Sequence, residues 1–232
     1  MTLLRFSSLR AATAALCVAA LAGALAGCGS RPPAPDWEMN AHAAATKATE
    51  AYLSGNTRVA DLEWSRARAE VARTGRPELL ARLELLRCAA QRAALDLQEC
   101  TAFEPLRADA AAAERAYADY LAGRIAPGDV ALLPSAQRGA VASGGVRSIA
   151  GIDDPLSRLV AASVAVQAGQ ADDAMLALAV DAASERGWRR PLLAWLTLRS
   201  QRLQSQGDGT AAAALQRRIE LIEKQGAPPA RD

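Results

Sequence analysis

The sequence predicts an all-α protein built from antiparallel helical hairpins. Three observations carry that expectation. Alanine, the best helix former and a poor strand former, fills about a quarter of the 232 positions. Apolar residues recur at steps of three and four, and no stretch alternates as a half-buried strand would. Glycines separate these periodic stretches at short intervals, the punctuation of helices that turn back on one another. Hydrophobic residues make up 51% of the chain, which excludes general disorder, while aromatics reach only 4%. One histidine, three methionines and four cysteines leave little material for metal or haem chemistry.

Residues 1–27 read as a bacterial secretion signal. Arg5 and Arg10 form a basic start with no acid before Asp36. The apolar run over 11–25 falls short of the roughly 20 residues that a membrane-spanning helix needs. It ends in Leu25-Ala26-Gly27-Cys28. This arrangement resembles the lipobox of bacterial lipoproteins. The resemblance implies that Cys28 receives a diacylglyceryl group, that cleavage follows Gly27, and that the new N-terminus is acylated. The implied anchor is covalent, holds the chain to a lipid bilayer through Cys28, and calls for no other cofactor. Two or three acyl chains hold stably where one is marginal. The same residues also admit an ordinary signal peptide cut after Ala24-Leu25-Ala26. Gly29 rather than Asp follows the cysteine, which by resemblance favours the outer membrane, facing the periplasm.

Removing Arg5 and Arg10 leaves 25 basic residues against 25 acidic ones. The mature chain is then neutral and loses its one general argument for a nucleic-acid partner. Only Lys47 and Lys224 are lysines.

Residues 28–35 predict an extended tether, with GSRPPAP over 29–35. Asp36 is placed to cap a helix over 37–54 that stops at Gly55. A second helix is expected over 57–73, stopping at Gly75. Pro77 opens a third that runs to about residue 95, since proline suits a first turn. In it Leu79, Leu83, Leu86, Ala90 and Ala94 form one apolar stripe. A fourth is expected over 106–122, stopping at Gly123. These make helical unit one, residues 36–123. Residues 124–152 hold Pro127, Pro134, Gly139, Gly144, Gly145 and Gly151 and predict a long exposed loop with a short helical turn at 128–133. Helical unit two, residues 153–225, is expected to hold four helices. They cover 155–168 behind Asp154, then 171–186, then a stretch from Pro191, then one from Thr210. Residues 226–232 (GAPPARD) predict a frayed tail.

An internal offset relates the two units: Gly55 to Gly169 and Pro77 to Pro191 are each 114 residues apart. The stretch from Tyr52 to Val71 resembles a tetratricopeptide repeat through Gly55, Ala60, Trp64 and Ala67. There the small residues let paired helices approach and the aromatic fills the gap. In the second unit Gly169, Ala174 and Leu178 fit, but Asp181 takes the last small position. The resemblance implies a hairpin stack that holds a partner peptide. An irregular solenoid or bundle stays open beside it.

Cys17 leaves with the leader and Cys28 is the implied acylation site. That leaves Cys88 and Cys100 as a pair in an oxidising compartment. Helix to about residue 95 carries the chain roughly 10 Å away from Cys88. Five more residues reach about 16 Å when extended, so a disulfide is within reach. Two buried free thiols are the alternative.

Chemistry is sparse. His42 has no motif around it, and no nucleophile elbow, zinc-protease, phosphate-loop or dinucleotide pattern occurs. No catalytic or metal-ligating residue is assigned. Asp153-Asp154 and Asp172-Asp173 sit at helix starts, where acids cap and oppose the macrodipole. Trp64 and Trp195 are expected in the core. Trp188 with Arg189 and Arg190 is the expected surface for a partner, because interfaces favour those residue types. The expectation is a lipid-anchored, non-catalytic interaction or scaffold module of the cell envelope with an unknown envelope partner. The alternative is an envelope hydrolase with its site at 124–152.

Overall fold

The computed structural model describes residues 34–225. The leader, Cys28, most of the tether and the tail lie outside the described residues. Ten α-helices follow in chain order: α1 Asp36–Leu53, α2 Thr57–Ala72, α3 Pro77–Ala93, α4 Ala112–Leu121, α5 Ser135–Ser143, α6 Gly145–Ala150, α7 Pro155–Gln167, α8 Asp173–Glu185, α9 Arg189–Ser205 and α10 Gly209–Gln225. Two 3-10 segments, Glu104–Leu106 and Pro127–Leu132, lie before and after α4. Among the described residues there is no strand.

Helices α1 and α2 form the first hairpin. Ala41, Ala44, Ala45 and Ala48 bury one stripe of α1, and Ala60, Trp64, Ala67 and Val71 bury the facing stripe of α2. Alanine lets the two backbones approach, and Trp64 fills the space the small side chains leave. Gly55 turns the chain at φ 90°, a left-handed conformation that glycine adopts at no steric cost. Asn56 then caps α2 by accepting from Val59 N at 3.2 Å. Across the hairpin Lys47 Nζ donates to the buried Glu63 carboxylate at 2.6 Å. Arg68 donates to the buried Glu84 at 2.7 Å, tying α2 to α3.

Helix α3 is buried on two sides. Leu83 joins the α1–α2 core, with Leu79, Leu80 and Leu86 packed against it. Ala81, Leu85, Cys88, Ala89 and Ala93 belong to the larger core, which α4 and α7–α10 also build. Cys88 and Cys100 are disulfide-bonded, with Cα atoms 5.6 Å apart. The bond holds the chain after α3 where Leu95 takes a left-handed φ of 58°. Buried Arg92 finishes that corner. Its Nε donates to Leu121 O at 2.8 Å and its Nη1 to Asp96 O at 2.6 Å, so one guanidinium joins the last carbonyl of α4 to the chain just after α3.

Two expectations need correction. The helix expected over 106–122 begins only at Ala112. The preceding residues form a 3-10 turn opened by Pro105, in a stretch that the disulfide holds to α3. Residues 124–152, expected as a long loop, are mostly helical. Pro127 and Pro134 open helical segments instead of breaking them, and α5 accommodates Gly139 in its interior. A polar link fixes this stretch from within. Tyr120 Oη donates to Gln137 Oε1 at 2.9 Å, and Gln137 Nε2 donates to Ser157 O at 3.3 Å. Helices α3, α4, α7, α8 and α9 share one core.

Candidate binding cleft

Four elements enclose an apolar concavity that combines convergent polar groups with an open mouth. Its volume is about 510 Å³, within the range of ligand sites, about 300–1,000 Å³. Helix α3 supplies Arg82, Leu85, Leu86 and Ala89, a single face at steps of three and four. Helix α4 supplies Ala113, Glu114 and Tyr117. The end of the second 3-10 segment adds Leu132, Leu133 and Pro134. The start of α7 adds Asp154, Leu156, Ser157 and Val160. Leu133 is buried in the core, while Leu132 stays 41% exposed on the rim.

The polar groups sit around this apolar wall. Arg82 Nε and Nη2 both donate to Glu114 Oε1, at 2.9 and 2.6 Å. Arg82 is 69% exposed and Glu114 only 12%. The second oxygen, Glu114 Oε2, is buried without a hydrogen-bond partner. Asp154 caps α7 by accepting from Ser157 N at 2.7 Å through Oδ2. Tyr117 packs on Tyr120 with ring centroids 6.0 Å apart. Burial pushes its phenol well above the ordinary range, and the neighbouring Asp154 charge adds to that shift. The phenol is therefore a neutral donor at any physiological pH.

The expected partner surface is elsewhere; Trp188, expected to be exposed, is buried, while Arg189 and Arg190 are half-buried. Trp188 is 4% exposed. Its indole N–H donates to both oxygens of Glu50, at 2.9 and 3.0 Å. Arg190 Nε donates to Tyr52 O and its Nη2 to Thr57 Oγ1, both at 2.7 Å. Its guanidinium lies 4.3 Å from the Tyr52 ring centroid. Arg189 passes the Gly55 turn. These residues do form an interface, but one between α9 and the first hairpin. Composition marks such a surface and does not say on which molecule its partner lies.

The remaining candidates are structural. Trp64 and Trp195 are core residues, and Trp195 Nε1 donates to Ala93 O at 2.9 Å. Asp172 caps α8 by accepting from Met175 N at 2.8 Å, and Asp173 pairs with Arg199 at 3.0 Å. His42 is exposed on α1. Among the described residues no group of three or more His, Cys, Asp or Glu side chains is placed to hold a metal ion. No described helix is long and apolar enough to cross a membrane.

The second stripe of α3, carrying Leu85 and Ala89, is the sequence signal for the cleft. It was hidden because the stripe through Leu83 has the same period. Comparison with protein-family models, with curated proteins and with solved structures gives no match.

Proposed function

We propose that this chain is a bacterial lipoprotein, anchored through Cys28 on the periplasmic side of an envelope membrane, whose helical body binds a partner protein without catalysis. The observation that carries the binding role is the cleft between α3, α4, the second 3-10 segment and α7. Its wall is apolar over most of its extent, and each of its two carboxylates uses one oxygen in an ion pair or a helix cap. That is the chemistry of holding a ligand. The α1–α2 hairpin supports the same role. Its Gly55, Ala60, Trp64 and Ala67 keep the tetratricopeptide-like pattern, a hairpin type used to build binding surfaces. The anchor rests on Leu25-Ala26-Gly27-Cys28 behind the basic and apolar leader.

Photo-crosslinking in intact envelopes tests this. A photoreactive residue in place of Leu132 should give a discrete protein adduct, and adding Leu156→Arg should abolish it while the helical spectrum is unchanged. An adduct that persists in the Leu156→Arg background overturns the cleft as the binding site. Metabolic labelling with a fatty acid should mark the wild type and not Cys28→Ser. An unlabelled wild type overturns the anchor.

A further inference from the structure

We infer that the occupant of the cleft is a peptide segment presenting a bulky apolar side chain beside a lysine or arginine. This deepens the binding role proposed above and rests on it.

The charges at the cleft decide between the apolar ligands that could enter. Three charged side chains line it, Glu114 and Asp154 against Arg82, so its balance is one negative charge. Arg82 directs its Nε–H and one Nη2–H to Glu114 Oε1 and lies mostly in solvent. It shields that carboxylate on one side only, leaving Oε2 without a partner. Asp154 spends Oδ2 on the α7 cap, and its Oδ1 accepts no hydrogen bond among the described residues. The neutral Tyr117 phenol lies near this carboxylate.

A fatty acid or phospholipid would bring its own negative group to this rim. It would meet the unpartnered Glu114 oxygen and the Asp154 carboxylate at the edge of an apolar wall. A cation gains from the same arrangement. The apolar part of the occupant packs on Leu86, Leu133, Leu156 and Val160, and its basic neighbour reaches Asp154. The exposed Leu132 continues the apolar surface out of the mouth, so a chain can enter and leave across it. A peptide meets all three conditions: an apolar group, an adjacent cation and a chain that continues.

The test is selection of a phage-displayed library of short random peptides on the detergent-purified full chain. Fluorescence anisotropy on the enriched peptides follows. Enriched peptides should share an apolar residue next to Lys or Arg, and replacing that basic residue with Gln should weaken binding about tenfold. Asp154→Asn should cost the basic peptide a similar factor and leave its Gln counterpart unchanged. Asn caps helices as well as Asp does, so α7 survives, and an unchanged melting temperature confirms it. Leu156→Arg should abolish binding of both peptides. Enriched peptides without a basic residue, or affinity indifferent to Asp154→Asn, overturn the inference while the binding role stands. Affinity indifferent to Leu156→Arg overturns the binding role itself. Displacement of the basic peptide by micellar palmitate at equal concentration overturns the inference in favour of a lipid.

Discussion

Trp188 donates its indole N–H to Glu50, a residue 138 positions earlier in the chain. The bond joins the start of α9 to α1, and the Arg186 guanidinium, 5.2 Å from the Trp188 ring centroid, covers the same site. The indole is buried but Glu50 is half exposed, so the carboxylate recovers water when the bond is lost. Trp188→Phe should therefore cost only about 1 kcal/mol. Trp188→Ala removes the ring and should cost about 3–5 kcal/mol. Urea midpoints of the two variants measure the difference.

Tyr120 and Gln137 make the opposite case, since both are buried. Tyr120→Phe keeps the ring but leaves the Gln137 carbonyl without its donor in the core. The expected cost is about 1–3 kcal/mol. Amide exchange should rise first over residues 135–150, because Gln137 holds α5 to α7 through Ser157.

Reduction of Cys88–Cys100 should lower the melting temperature. The bond closes a short loop, sequence separation 12, and the chain-entropy model assigns such loops about 3 kcal/mol. Cys88→Ala with Cys100→Ala should reproduce the loss. Thiol titration of the unfolded, unreduced protein should find neither cysteine free.

Asp173 accepts from Arg199 Nε and Nη2, both at 3.0 Å, between α8 and α9. That bond is the main cause holding its carboxyl below its ordinary value of 3.8. A lowered folded value means the pair contributes fully above the unfolded value and loses its contribution as pH falls through the folded one. Asp173 is 40% exposed, so screening keeps the contribution below about 1 kcal/mol. Asp173→Asn should be slightly less stable than wild type at neutral pH. The gap should close on acidification below 3.8, read from urea midpoints across pH.

The helices were legible in the sequence wherever one face alone is buried. Asp154 and Asp172 cap where their residue types suggest, and Gly55 and Gly169 both turn left-handed. Legibility failed where tertiary contacts override local signals. Glycine and proline over 124–152 suggest a loop, yet a single buried glutamine anchors helix there. The stripe of α3 through Leu83 was visible, and the one through Leu85 was not, because a helix buried on two sides has no polar face to set the phase. The cleft suffered doubly. Its wall uses that second stripe, and its rim uses Leu132 and Leu133 from the segment that looked like a loop. The burial of Trp188 was missed for another reason, since internal and external interfaces draw on the same residue types.

From Leu83 to Ala94 no residue of the chain is exposed. A helix gripped on both sides cannot act as a hinge, because any swing of the first hairpin would peel one of its buried faces into water. The cleft wall carried by α3 is thus presented ready-made. A ligand would find it by fit, with little ordering entropy to lose on the protein's side, and its dwell time would be set by its own contacts instead of by a closing motion.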